Sequence, residues 1–340
     1  MSDHEFDKFL KTVAAGGKLA TDEASRAFSL IMAGDVSDIR IAAFVAAIAV
    51  RKPTIDEIVG AVRAMRSAMT TIEAGPYAID LCGTGGDGAG TLNISTACAF
   101  VVSSCGVPVA KHGNRNMSSK SGAADCLEAL GVKVDLGPAD ASRCLREAGL
   151  CFLFAQTYHP AMKHAARVRQ DLGFRTIFNL LGPLSNPARV RRQLIGVYDS
   201  EWVAPLAAVL ARLGTDCAWI VHGDGLDEIA ISGPTRVAIL ADGKITTREI
   251  TPQDAGLSCS SLAKLEGGTA AANAAALRRL LDGEPGAYRD VVLINSAAAL
   301  VVAGKAQDLK QGVAIAISAI DNGAARAKLE ELIVISNRRT

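Results

Sequence analysis

Four short stretches of the chain gather the residue types that bind phosphates, hard cations and carboxylates. The first is Gly83-Thr84-Gly85-Gly86-Asp87-Gly88, four of whose six residues are glycine. Glycine admits positive φ and lets backbone N–H groups close on an anion. Asn93-Ile94-Ser95-Thr96 follows and opens a helix, whose free N–H groups and dipole favour negative charge. Taken alone, the loop fits either a phosphate cradle or a tight turn. It is not a P-loop, since no Gly-Lys-Ser/Thr follows, and it is out of register with the dinucleotide fingerprint. The second stretch is Lys111-His112-Gly113-Asn114-Arg115-Asn116-Met117-Ser118-Ser119. Two cations, an imidazole, two amides and two hydroxyls after a strand could clamp a polyanion at a sheet edge; a solvated polar loop has the same composition. The third is His222-Gly223-Asp224-Gly225-Leu226-Asp227-Glu228. Its adjacent carboxylates suit Mg²⁺, which takes few carboxylates and keeps water and phosphate ligands, but Asp-Glu pairs are also common on surfaces. The fourth runs from His159 to Leu172 and carries Lys163, His164, Arg167 and Arg169. It reads as a helix with a largely solvated basic face.

These stretches need a frame. The first seventy residues read as helices alone. Ser37 is positioned to cap one helix, and Thr54-Ile55-Asp56-Glu57 is a capping box ahead of Ile58, Val59, Val62 and Met65. Such a helical domain has more apolar surface than it can bury by itself. The excess packs either on a second copy of the chain or on the rest of the same chain. The pattern changes at Ala74-Gly75-Pro76. From there strand and helix alternate, with strands expected at 77–82, 107–111, 132–134, 150–154, 193–198, 218–222, 236–240 and 245–250. Helices are expected between several of them, often with glycine at their ends. Asn179 to Pro187 reads as a turn-rich passage. The expected fold class is α/β: a small N-terminal helical domain (1–73, joined by helices within 158–185) and a larger domain (74–340). The larger domain has a central, mostly parallel sheet flanked by helices.

Composition limits the function. The 340 residues carry 36 basic and 35 acidic side chains, a balance that disfavours a generic nucleic-acid binder. The eight cysteines form no CxxC pair and mostly sit in apolar runs, as reduced thiols do. Met1 to Lys8 has no signal-peptide pattern, and Ile41 to Val50 is far short of the ~20 residues of a membrane span. A cytoplasmic protein without a membrane or nucleic-acid partner is expected.

In order along the chain, GTGGDGAGTLNIST (83–96), VPVAKHGNRNMSSKSGAADCLEALGV (107–132), YHPAMKHAARVRQDLGFRTIFNLLGPLSNPA (158–188), VHGDGLDEIAISGPTRV (221–237) and LDGEPGAYRDVVLINSAAALVVAG (281–304) resemble anthranilate phosphoribosyltransferase, of the class III nucleoside phosphorylase-like family. The likeness covers nearly the whole chain. It implies transfer of phosphoribose from phosphoribosyl pyrophosphate to the amino group of anthranilate, with release of pyrophosphate, in tryptophan biosynthesis. It also implies Mg²⁺ as cofactor and a homodimer formed through the helical domain. By resemblance, Gly83, Gly86, Asp87, Thr91, Asn93, Ile94, Ser95, Thr96 and Lys111 through Ser119 contact the phosphoribosyl donor. Ala123 belongs with them, although many relatives carry Ser there, so only its backbone could serve. Gly83, Asn114 and Arg169 are the implied anthranilate contacts, and Ser95, Asp227 and Glu228 the implied metal ligands. No general base is implied, because an aryl amine is already a free nucleophile.

Two rival readings differ in what they require. A pyrimidine nucleoside phosphorylase shares the fold and a related Lys-His stretch. It has no pyrophosphate to chelate, which leaves the Asp227-Glu228 pair without a purpose. A non-catalytic nucleic-acid-binding relative would need a basic surface, and the net charge is only +1.

Overall fold

The computed structural model describes residues 2–115 and 121–338. Four helices come first: α1 (Ser2–Ala14), α2 (Thr21–Ala33), α3 (Asp38–Arg51) and α4 (Ile55–Ala68). The capping box forms at α4: Thr54 Oγ1 accepts from the Glu57 amide at 3.2 Å, and Glu57 Oε2 accepts from the Thr54 amide at 2.9 Å. Glu57 is fully buried and also accepts from the Leu19 amide and Arg51, so one carboxylate ties three segments together. Ser37 stands at the N-cap position of α3, but its hydroxyl makes no capping bond.

The larger part then alternates: β1 (Ile79–Gly83), α5 (Ile94–Ser104), β2 (Val109–Gly113), α6 (Ala123–Ala129), α7 (Pro138–Ala148), β3 (Leu150–Phe154), α8 (Ala155–Tyr158), α9 (Lys163–Leu172), α10 (Phe178–Leu184), β4 (Arg192–Gly196), α11 (Val203–Arg212), β5 (Cys217–Gly223), β6 (Thr235–Ala241), β7 (Lys244–Ile250), α12 (Ala270–Leu281), α13 (Ala287–Val302), α14 (Leu309–Asp321) and α15 (Ala324–Ser336). The strands form one sheet in the order β3-β2-β1-β4-β5-β6-β7. The first five are parallel, and β6 and β7 close the far edge antiparallel.

Successive strand residues point to opposite faces, and this chain buries both. Leu81, Leu194, Trp219 and Val237 enter one core with residues of α5 and α13. Their neighbours Cys82, Ile195, Ile220 and Ala238 enter a second core with α4, α10 and α11. That second core also takes in Phe6, Phe28, Phe44 and Phe178, so the N-terminal helices, α9 and α10 share their interior with one face of the sheet. The apolar surplus of the early helices is thus spent largely within the chain.

Three expectations change. Residues 132–134 form no strand: Val132 and Val134 are buried, but the Lys133 amide is satisfied by Ser336 Oγ at 3.2 Å instead of a strand partner. The passage from Asn179 contains a helix, α10, because Leu180, Leu181 and Leu184 are all core residues and the Asn179 side chain accepts from the Thr176 amide at its start. Pro183 sits in its last turn, where the missing N–H costs one bond at most. The helix expected from 159 begins at Lys163, since Pro160 opens a separate 3₁₀ turn.

Candidate active site

The carboxyl ends of β1, β2, β4 and β5 open on one edge of the sheet. The chain leaves β1 toward β2 and β3, then resumes at β4 on the opposite side of β1. The crevice between β1 and β4 is therefore a topological switch point, where open α/β sheets hold ligands. Gly83 and Gly196 end these two strands and stand in register. A Cβ on Gly83 would collide with the Asp227 carboxylate, and one on Gly196 with the Asp227 main chain. The acidic loop after β5 settles on the sheet edge because these two positions lack side chains.

The glycine loop is tied down around that contact. The Thr84 amide donates to Gly196 O and the Tyr198 amide to Thr84 Oγ1, both at 2.9 Å. The Gly85 amide donates to Asp227 Oδ2 at 2.7 Å. Gly85 and Gly86 take φ of 66° and 77°, values that strain any residue with a side chain.

Charges gather beside the loop. Glu228 Oε1 accepts from the Ser95 amide at 3.2 Å, at the first turn of α5. The N-cap residue Asn93 makes no capping bond; its side chain is engaged by Asn273 and by Ser121 O. Lys111 is buried in the middle of β2 and donates to Leu81 O at 2.6 Å and Ser95 Oγ at 3.1 Å. Asp87 accepts from the Ala89 amide and faces the Asp227 amide. Burial, then repulsion from Asp87, holds the Asp227 carboxyl above the usual range. Burial and then Asp227 do the same to Glu228. Among the described residues no three acids, histidines or cysteines come close enough to cage a metal alone. The pair fits a hard dication that fills its shell with water and phosphate oxygens.

A cavity of about 750 Å³ adjoins the crevice, between the sheet edge and the helices α4, α9 and α10. Gly83, Asn114 and Arg169 all line it. Arg169 lies 5.9 Å from the Phe178 ring centroid, is lowered in pKa by burial, and has no carboxylate partner among the described residues. His112 and His159 form another wall, with ring centroids 5.0 Å apart. Burial, then His159, pushes His112 down to about 3, and burial pushes His159 down to about 4. His159 is thus a buried wall residue, not part of a solvated face.

The remaining expected positions divide as follows. Thr91 pairs with Glu266, and the Leu92 amide donates to Leu265 O, so the 262–273 segment backs the loop. Ile94 and Thr96 are buried in the start of α5. Gly113 ends β2, pressed against Phe152 and close to Ala123, the first residue of α6. Arg115 is held by Asp125 and Glu128. Gly86 and Asp87 stay in the loop, while Asn116, Met117, Ser118 and Ser119 lie outside the described residues. The sequence alone gave no role to Phe178, Asn273 or Arg175. The Gly267-Gly268 pair was a usable signal for the backing segment, since a Cβ on Gly267 would strike Thr91 O.

Residues 75–326 match the glycosyl transferase family a/b domain, and residues 7–69 its helical bundle domain. The chain is 56% identical over 335 residues to an anthranilate phosphoribosyltransferase of Rhodopseudomonas palustris, covering 98% of this chain and 99% of the relative. The crystal structure of the Thermus thermophilus anthranilate phosphoribosyltransferase superposes with a TM-score of 0.93 at 42% identity, over 97% of this chain and 99% of that one. The Saccharomyces cerevisiae enzyme in complex with PRPP and Mg superposes with a TM-score of 0.88 at 28% identity, over 97% of each chain.

The buried histidines generate a stability prediction. Their folded pKa values lie below the ordinary ~6.5 of an unfolded chain. On acidification the unfolded state therefore takes up protons first, and stability is lost as pH falls below that value. Relative to a His112→Asn/His159→Asn variant, the wild type should lose stability from pH 7 to 5, approaching ~1.4 kcal/mol per pH unit per histidine. Urea unfolding at both pH values checks this; a difference between the two proteins that does not change with pH would show that both rings titrate normally in the fold.

Proposed function

The chain belongs to the glycosyl transferase family as an anthranilate phosphoribosyltransferase, and from that premise we propose a residue-level reading of its crevice. The enzyme transfers phosphoribose from phosphoribosyl pyrophosphate to the amino group of anthranilate, giving N-(5-phosphoribosyl)-anthranilate and pyrophosphate, in tryptophan biosynthesis. The observation that carries the reading is the juxtaposition of an acid pair, a helix N-terminus and an arginine with no carboxylate partner among the described residues around one switch-point crevice.

In this reading Gly83, Gly86, Asp87, Thr91 and Asn93 to Thr96 hold the donor, with Lys111 and the loop through Ser119 as the facing wall. Backbone groups of the glycine loop and α5 supply oriented dipoles, and Lys111 supplies a fixed cation for the departing charge. Such preorganised groups act at little reorganisation cost. Asp227 and Glu228, with Ser95, would hold Mg²⁺, which when bound neutralises charge on the leaving pyrophosphate. Burial first, and then repulsion among Asp87, Asp227 and Glu228, disfavours the ionised forms of the two carboxyls, so a bound cation would stabilise them as an anionic pair. Arg169 grips the anthranilate carboxylate, and Gly83 and Asn114 border the same cavity. Holding the amine toward the sugar supplies orientation, worth up to ~7–11 kcal/mol in well-aligned systems.

The helical part, 1–73 with the helices of 158–185, forms one wall and the α/β part, 74–340, the other. The proposed assembly is a homodimer in the cytoplasm. On α3, Ile39 and Val50 are 83% and 89% exposed, and Ala43 and Ala46 continue the stripe between them. This spacing lays an apolar, small-residue face along one side of a helix, suited to a second copy of itself.

Depletion of anthranilate fluorescence in the presence of phosphoribosyl pyrophosphate and Mg²⁺ tests the activity, and no depletion would overturn it. Arg169→Ala should raise the anthranilate KM by about 10–100-fold, the loss of a charged hydrogen bond. An unchanged KM with normal kcat would remove Arg169 from the acceptor site. Asp227→Asn/Glu228→Gln should lower kcat by at least about 100-fold and weaken Mg²⁺ binding in calorimetry; full activity with normal Mg²⁺ dependence would exclude the pair as ligands. Val50→Glu should yield monomers in size-exclusion light scattering, whereas an unaltered dimer would place the interface elsewhere and a monomeric wild type would refute the assembly.

A further inference from the structure

Arg175 stands on the connection between α9 and α10, six residues after Arg169. Its side chain leaves the helical wall and crosses to the glycine loop, where a guanidinium nitrogen donates to Gly86 O. The same guanidinium lies 4.3 Å from the ring centroid of Tyr198, just past the end of β4. A Cβ on Gly86 would come 3.5 Å from Arg175 Nε, so the group lies close against the loop backbone. Tyr198 is itself bound to the loop through Thr84.

We propose that Arg175 is a positioning residue for the donor: it fixes the glycine loop from the helical side and so links the wall that carries Arg169 to the phosphoribosyl pyrophosphate site. This rests on the donor-loop reading given above. The physical need comes from the loop's composition. Glycines lose more conformational freedom on ordering than any other residue, and a loop this rich in them would be ordered at the expense of substrate affinity. Asp227 holds the N–H of Gly85 and Arg175 holds the carbonyl of Gly86, so the peptide units on either side of the Gly85–Gly86 linkage are fixed before the donor arrives. The planar guanidinium suits the task because it stacks and donates at once, which an ammonium cannot do.

Arg175 is exposed, so its replacement leaves the core intact. Arg175→Ala should raise the KM for phosphoribosyl pyrophosphate about tenfold, the equivalent of one charged hydrogen bond. The anthranilate KM and the melting temperature should not change. Arg175→Lys should fall between the two proteins, since it can reach the carbonyl but does not stack in the same way. Hydrogen exchange on the ligand-free enzyme should show faster exchange of the 84–90 amides in Arg175→Ala, with the strands unaffected. Exchange in that loop equal to wild type, or an unchanged donor KM, overturns the proposal. If the wild type fails to transfer phosphoribose at all, the functional reading falls, and the exchange comparison alone decides the role of Arg175.

Discussion

The crevice depends on how closely the Asp227 main chain approaches the ends of β1 and β4. That approach is possible because Gly83 and Gly196 meet in register with no Cβ on either. Once the acidic loop is seated there, its neighbours have little freedom. Asp227 Oδ2 takes the Gly85 amide, and Glu228 reaches the first turn of α5 at the Ser95 amide. The glycine loop, the acid pair and the helix N-terminus are three parts of the sequence that become one site through this contact. A methyl group at either glycine would push the acid loop off the edge and separate all three.

The polar groups of the crevice are satisfied mostly by backbone and neutral partners, not by each other. Lys111 is buried but donates to a carbonyl and a hydroxyl, and Arg169 rests near a ring. Asp227 and Glu228 accept from amides. A direct Lys–Glu pair in the same space would be electrostatically quieter and would leave less potential for a substrate. Uncompensated charge is costly to bury, and the raised carboxyl pKa values of the acid pair record that cost. Lys111 offsets part of the acids' charge from a distance, without a direct ion pair, while Arg169 stands in the adjoining cavity.

Much of this was legible from local chemistry. Strand and helix alternation, the capping box at Thr54 and the strand at 150–154 depend on nearest neighbours and apolar periodicity, and they appear as read. The cavity proposed for the acceptor was legible only through family likeness, because Gly83, Asn114 and Arg169 are brought together by topology that no short window contains. Errors have the same origin. Val132 and Val134 look like a strand because they are core residues, yet their segment finds a side chain of α15 where a strand would need a neighbouring strand. The stretch from 179 looks like a turn because of its glycine and prolines, while burial of three leucines against α4 outweighs those breakers. His159 looked solvated because its neighbours in sequence are basic, and Pro160 turns it out of that face into the interior.

Burial also decides what the histidine wall can contribute. His112 Nδ1 stands 3.1 Å from Gly182 O, an oxygen that only accepts, so Nδ1 must carry the proton. Burial keeps the ring neutral well below physiological pH, which leaves Nε2 as a lone pair with no donor among the described residues. The wall therefore presents an acceptor and adds no positive charge. A second cation there would compete with Arg169 for an anionic acceptor and would repel a sugar that becomes cation-like as pyrophosphate leaves. Among the described cations that line the cavity, Arg115 is taken by two acids and Lys163 is exposed, so the half-buried Arg169 is the one proposed to hold a carboxylate. In the proposed reading, orientation of the acceptor would follow from one strong contact inside a cavity whose nearby imidazoles stay uncharged.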